Sequence, residues 1–344
     1  MFDFKDASLA EIVLHKVGNK IQEEPIVIAQ HPISIDEITE GILQKYFLSS
    51  FKTPSLYTLH HGSDLTLNEV YSYVSSIFND PQDLYLQSVN LANHLYESAD
   101  HPNIKGGEFY VAFFENCGID GEWTDVIGLF KTENKETYLK IYPKGQDFEI
   151  NSEEGININK LDKGCLIFNT EKEKGYKVAI IDNTNRGGEA QYWKEDFLNL
   201  KPREDSYYHT ENYLNMCRDF AVEAFPDAAR IDQIGLVKES VNYFKDQETF
   251  EVSDFEQTVM KEPEVIEAFQ EYKDTYQQNN NISTFDEFDI SKPAVKQSKR
   301  FIRSVIKLDK NFHVYVHGNR DRIIRGYDEE KQMHFYQLFF NDES

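Results

Sequence analysis

Between Glu108 and Asp182 the chain passes repeatedly through short stretches rich in β-branched and aromatic residues, broken by turn-forming clusters. Glu108 to Phe114, Val126 to Lys131 and Tyr138 to Tyr142 read as consecutive strands, with Gly118 to Gly121 and Glu133 to Lys135 as their turns. Gly164 to Phe168 and Tyr176 to Asp182 read as a further pair, joined by the charged turn Thr170 to Lys174. A parallel crossover needs roughly a dozen residues or more, so spacings this short force antiparallel neighbours. An earlier strand is expected at Ile12 to Val17.

Helical periodicity surrounds this block. Ser34-Ile-Asp-Glu37 reads as a capping box ahead of a face carrying Ile38, Ile42 and Tyr46. Thr66-Leu-Asn-Glu69 reads as a second, ahead of Val70, Tyr73, Val74, Ile77 and Phe78. Pro81 opens a third helix striped by Leu84, Ser88, Leu91 and Leu95. From about Asp205 the pattern is helical again: Tyr213, Cys217, Phe220 and Ala224 share a face before Pro226. Ala228 to Phe244 and Pro263 to Tyr276 follow, with a short helix between Thr249 and Met260 and a loop from Gln277 to Asn281. The tail returns to strand at Ile302 to Leu308, Phe312 to His317, Ile323 to Tyr327 and Met333 to Phe340, which reads as a β-meander. The expected class is α+β. Residues 1–200 form a mostly antiparallel sheet with helices, and residues 201–344 a helical section followed by the meander.

Charge is divided unevenly. The net charge is −24, yet Lys292 to Arg325 contains ten basic and two acidic residues, a net of +8 that leaves −32 on the rest. The basic residues are Lys292, Lys296, Lys299, Arg300, Arg303, Lys307, Lys310, Arg320, Arg322 and Arg325. Lys292, Lys296, Lys299, Arg300, Arg303 and Lys307 would share one face of a continuous helix. Ile302, Val305 and Ile306 favour a helix only to about Arg300, and a strand after it. Interleaved with Phe301, Phe312, Tyr315 and His317, this is the pattern of a phosphate-contacting surface. The competing reading is an internal electrostatic partner for the acidic remainder.

No sequence pattern points to catalysis. There is no G-x-S-x-G, no phosphate-binding glycine motif and no cysteine in a catalytic setting. Asn185-Arg-Gly-Gly188 could receive an anion, though an ordinary loop is the simpler reading. His60 and His61 are adjacent and would diverge; His313 and His317 would share a strand face. Asp125 with Lys131 is a nuclease-like pairing that abundant acids make uninformative. The expectation is no cofactor, no metal and no enzymatic activity. Cys117, Cys165 and Cys217 are odd in number and fit no zinc or disulfide spacing, so free thiols in a reducing compartment are expected. Asp3, Asp6 and Glu11 do not suit a secretory signal, and no apolar run reaches membrane-spanning length.

Several of these stretches together resemble the bacterial nucleoid-associated proteins of the YejK/NdpA type. They are Ile12-Val-Leu-His15, Gly106-Gly-x-Phe-Tyr-Val111, Val178-Ala-Ile-Ile-Asp182 with Trp193 and Phe197-Leu198, Phe285-x-x-Phe288, and Leu308-Asp-Lys-Asn-Phe-His-Val-Tyr-Val316. The resemblance implies a cytoplasmic protein on the nucleoid, associated with DNA and, in some members, with type II topoisomerases. It carries over no catalytic residue. The acidic end Asn341-Asp-Glu-Ser344, basic in some relatives, moves the expected DNA contacts to the internal basic segment. The alternative function is an acidic module that engages basic partners such as topoisomerases without touching DNA.

Overall fold

The computed structural model describes the whole chain except residues 1, 53, 54, 185–191, 227, 229, 281, 283, 299–304, 309, 316–321, 343 and 344, and except the side chains at 230, 305 and 307. It divides into two compact units, Met1–Arg203 and Glu204–Ser344. The class is α+β, with a large antiparallel sheet in the first unit.

The first unit contains, in order, β1 (Phe2–Asp3), β2 (Ser8–Val17), α1 (Glu37–Leu48), β3 (Leu56–Leu59), α2 (Glu69–Asn79), α3 (Leu84–Ser98), β4 (Gly107–Ile119), β5 (Glu122–Thr132), β6 (Glu136–Lys144), β7 (Asp147–Gly155), β8 (Lys163–Phe168), β9 (Lys177–Asp182) and β10 (Leu200–Pro202). The sheet runs β4-β5-β8-β9-β3-β10, with β1 and β2 paired end to end along the outer edge of β4. Every pairing is antiparallel, and for β4–β5 and β8–β9 the short connections require it.

Side chains of a strand alternate between faces, and here both faces are buried. Phe109, Val111 and Phe113 of β4 join the core under α2 and α3, with Val74, Ile77, Leu91 and Leu95. Tyr110, Ala112 and Phe114 join the opposite core under α1, with Tyr46, Phe47 and Phe130. That explains why β4 reads as an unbroken apolar run. Gly128 of β5 leaves room for the second core: a Cβ there would lie 2.5 Å from the Phe130 ring. Phe130 stacks on Phe47 with ring centroids 4.0 Å apart.

Local details differ from the sequence expectation. Asp36, not Ser34, caps α1, accepting from Thr39 N–H at 2.9 Å. A carboxylate at that point also answers the positive end of the helix. The expected α1 stripe is mostly solvated, with Ile38 78% exposed, because the helix meets the core through its C-terminal half, Leu43 and Tyr46 to Leu48. Asn68 takes the place of Thr66 as the cap of α2. Its oxygen accepts from Tyr71 N–H, while its amide donates to the carbonyls of His60 and Leu198, a double task that a threonine hydroxyl cannot perform. The strand at Tyr138 does not extend the sheet. It pairs with β7, which the sequence reading missed, as a separate two-stranded arm.

The second unit contains α4 (Ser206–Glu223), α5 (Arg230–Asp246), β11 (Thr249–Glu251), α6 (Val252–Phe255), α7 (Pro263–Asn280), β12 (Glu287–Asp289), α8 (Lys292–Ser298), β13 (Val305–Leu308), β14 (Phe312–Tyr315), β15 (Ile323–Asp328) and β16 (Met333–Leu338). Tyr213, Cys217 and Phe220 of α4 pack with Phe244, Phe250, Phe255 and Phe269. The expected helix at Thr249 begins instead as strand β11, paired with β12, before α6 and a π-helical turn at Glu256–Met260. Residues Gln277 to Asn280 continue α7 instead of forming a loop, and Asn280 bonds its side chain to the Tyr276 carbonyl. The closing strands form two hairpins, β13–β14 and β15–β16, with no pairing between them among the described residues, so the expected continuous meander is not seen there.

Cys117, Cys165 and Cys217 are free and buried, one in each of the three cores. Burial pushes the Cys117 and Cys217 thiols up to about 12, and Cys165 up as well. Native protein should therefore resist a thiol reagent that titrates three thiols once the chain is denatured. A rapidly reacting native thiol would contradict this packing.

His15 of β2 is 2% exposed. Its Nδ1 accepts from Ala29 N–H at 3.1 Å, so the ring proton sits on Nε2, 3.0 Å from Ser88 Oγ. Burial lowers its pKa from 6.5 to about 4. The unfolded chain thus binds this proton first, and the neutral ring stabilises the fold above pH 6.5. That stability drains away as pH falls through about 4, by up to roughly 3 kcal/mol. Urea melts of wild type and His15→Gln across this window should converge as pH falls; parallel curves would show that His15 does not titrate as described.

Candidate nucleic-acid interface

The described cations of the basic segment are spread over α8 and the two closing hairpins. Lys292, the first residue of α8, is exposed and reaches along the surface to the end of α5. Its Nζ donates to the carbonyls of Lys245 and Gln247 and lies 3.2 Å from Glu248. These carbonyls carry the negative end of the α5 dipole, so Lys292 acts as a helix terminator. Lys296 is exposed on the opposite side of α8 from the buried Ala294, Val295 and Ser298. Within the described part of α8, Lys292–Ser298, the basic residues are Lys292 and Lys296. Lys299, Arg300, Arg303 and Arg320 lie outside the described residues.

The hairpins arrange the remainder. On β13–β14, Lys307 stands opposite His313 and Val305 opposite Tyr315. Lys310 is exposed in the turn, and Phe312 and Tyr315 are 64% and 63% exposed. On β15–β16, Arg325 is exposed opposite Tyr336, with the Tyr327–His334 pair two residues along the same face. The Tyr327 and His334 rings meet edge to face at 5.0 Å. Arg322 is exposed at the start of β15, and its carbonyl accepts from Phe339 N–H. Cations beside exposed ring faces are chemically suited to phosphate contact and base stacking.

The weaker sequence candidates do not converge. Asp125 and Lys131 lie on the same strand six positions apart, roughly 20 Å, too far to share a metal ion. His60 is exposed, whereas His61 Nδ1 accepts from Ser63 N–H. His317 and the Asn185 to Gly188 loop lie outside the described residues. Among the described residues, no three His, Cys, Asp or Glu side chains gather as a metal site.

One charged cluster was not anticipated. Lys131 and Lys163 stand directly opposite each other on β5 and β8, with side chains 0% and 1% exposed. Opposed like charges destabilise a sheet unless neutralised. Lys131 Nζ donates to the Lys105 carbonyl (2.6 Å), Glu133 (3.1 Å) and Tyr192 Oη (2.9 Å). Lys163 Nζ donates to both Asp182 oxygens and to Thr184 Oγ1, with Glu133 at 4.0 Å. The Tyr192 ring lies 5.3 and 5.2 Å from the two ammonium groups, and its hydroxyl donates to Glu133. Burial pushes the Lys131 ammonium below its usual range against the pull of Glu133, and raises the Tyr192 hydroxyl well above its own. Each ammonium has three protein acceptors, so the cluster offers a substrate no open donor and acts as a structural knot. The signal in the sequence was a lysine at the end of a strand buried on both faces, which must find an acid. Replacing Glu133 with Ala leaves two opposed ammonium groups undercompensated, and should lower unfolding free energy by about 3–5 kcal/mol. A urea midpoint close to wild type would show that the knot tolerates unpaired charge; Lys131→Met with Glu133→Leu should recover much of the loss.

No helix of the described residues is long and apolar enough to cross a membrane. No curated protein matches the chain. The family model for nucleoid-associated protein YejK matches residues 13–333, reaching into both compact units and through β15. With nearly the whole length covered, the chain belongs to the YejK family of nucleoid-associated proteins.

Proposed function

We propose that the protein binds DNA directly and without sequence preference, as a non-catalytic component of the nucleoid in the cytoplasm, using the cations of its C-terminal segment. The observation that carries this reading is the placing of exposed cations and exposed rings on the same two hairpins: Lys310 in the turn that leads into Phe312, and Arg325 on one face with Tyr327 and His334. Concentrated here, they escape the charge of −24 that would otherwise repel a polyanion. Lys296, Lys299, Arg300, Arg303, Lys307, Arg320 and Arg322 extend the same basic segment in sequence. Lys292 is set aside because its ammonium is already bonded to the end of α5. The segment contains no recognition-helix motif for the major groove, so the cations act as phosphate contacts and not as readers of bases.

Changing Lys310, Arg322 and Arg325 together to Ala should weaken binding about equally for duplexes of different sequence. It should also flatten the dependence of log affinity on log salt by about 0.9 per lost contact. Fluorescence anisotropy at several salt concentrations reads both effects, and Lys299, Arg300 and Arg303 changed to Ala form a second arm. Unchanged affinity in both folded variants would defeat direct contact through this segment. It would favour the acidic surface as a dock for a basic DNA-bound protein such as a type II topoisomerase.

A further inference from the structure

The β6–β7 arm has two unlike faces. Its turn is the two-residue loop Gly145-Gln146, closed by the Lys144–Asp147 pair, with Gly145 at φ +65°. A tight hairpin turn of this kind takes glycine at its first central position, and it fixes the register of the whole arm. That register sends Tyr138, Lys140 and Tyr142 to one face, with Glu149 and Glu153 opposite them. This face satisfies itself: Glu153 accepts from Tyr138 Oη (2.9 Å) and Tyr142 Oη (3.1 Å), and Lys144 pairs with Glu149 at 3.1 Å. The other face holds Leu139, Ile141 and Pro143 beside Phe148 and Ile150. Leu139, Ile141, Phe148 and Ile150 are 70%, 60%, 73% and 61% exposed. Of the charged residues in the arm, Glu154 alone lies on this side, near its base.

We infer that this apolar face is the dimer interface of the protein, stacked face to face on the same arm of a second copy about a two-fold axis. A two-stranded hairpin is only marginally stable alone in water, so an arm of this length needs a cover for its apolar side. The centre of the face carries no charge, and its polar side chains Thr137 and Ser152 lie toward the base beside Glu154, so its complement is another flat apolar sheet face. Its twin supplies one of matching size and twist, and a two-fold axis makes the surface self-complementary. At these exposures the four large side chains present on the order of 500 Å² per copy, so stacking two arms would bury about 1,000 Å², the lower bound of a stable interface. The remaining charges point away from the contact, so two acidic chains can meet here without opposing carboxylates. The inference does not rest on DNA binding. It adds that a dimer would carry two copies of the basic segment.

Sedimentation velocity on the full chain without DNA tests it. Wild type should show a monomer–dimer equilibrium that tightens as salt rises, because salt screens the like net charge while the apolar contact persists. DNA binding weakens under the same change, which separates the two readings. The variant Ile141→Thr, Phe148→Thr and Ile150→Thr retains β-branching for the hairpin but removes the apolar face, and should be monomeric. A second variant replaces residues 137–154 with a short Gly-Ser linker; the arm shares no strand with the main sheet, and protection of the three buried thiols reports that the cores survive. It too should be monomeric. Wild type that stays monomeric at all concentrations, or a dimer that persists in either folded variant, overturns the proposal.

Discussion

The two-sided burial of β4 and β5 is the constraint on which the first unit depends. Successive side chains from Phe109 to Phe114 supply opposite cores, so the strand cannot slip by one residue without exchanging the two sets. Each large side chain withdrawn from water contributes roughly 1.5–3 kcal/mol, and the central strands contribute them on both faces. Helices α2 and α3 are fitted to one side and the C-terminal half of α1 to the other. Short turns permit no other orientation for β4–β5 and β8–β9, while β2–β4, β5–β8, β3–β9 and β3–β10 are antiparallel across longer stretches of chain.

The same register creates a difficulty that the fold resolves locally. Pairing β5 with β8 in the alignment that matches Val126 to Phe168 also sets Lys131 against Lys163. Slipping the strands would relieve the repulsion but would turn both cores inside out. The chain instead places Glu133 between the ammonium groups, Asp182 on the next strand and Tyr192 over both. Asp162 fixes the turn that carries Glu133 by accepting from the backbone amides of Glu133 and Asn134. Apolar packing therefore dictates the register, and the polar knot accommodates it.

Three hairpins are built on another principle. β6–β7, β13–β14 and β15–β16 are each two-stranded sheets outside the main one, and each exposes large apolar or aromatic side chains. In β15–β16, Phe335 lies over Gly326, where a Cβ would come within 2.3 Å of its ring, leaving Arg325 on the opposite face with Tyr327 and His334. Strand alternation thus gathers Arg325, Tyr327, His334 and Tyr336 on one face of this hairpin. Such faces are suited to partners outside the chain.

Much of this was legible in the sequence because periodicity and turn length are local properties. The antiparallel block, the α3 stripe from Leu84 to Leu95, the change from helix α8 to strand β13 and the concentration of cations in the tail all follow from residues within a few positions of one another. The sequence could not say that Tyr138 begins an arm, that Asn68 does the capping work expected of Thr66, or that Lys292 is bonded to α5. Nor could it say that Lys131, Lys163 and Tyr192 meet. Each of those outcomes depends on partners tens of residues away, brought together by strand register and helix packing. Local patterns determine which elements form and which side of each is apolar; only the tertiary structure decides which charge meets which, because an ammonium group bonds to whichever carboxylate or carbonyl the fold delivers within about 3 Å.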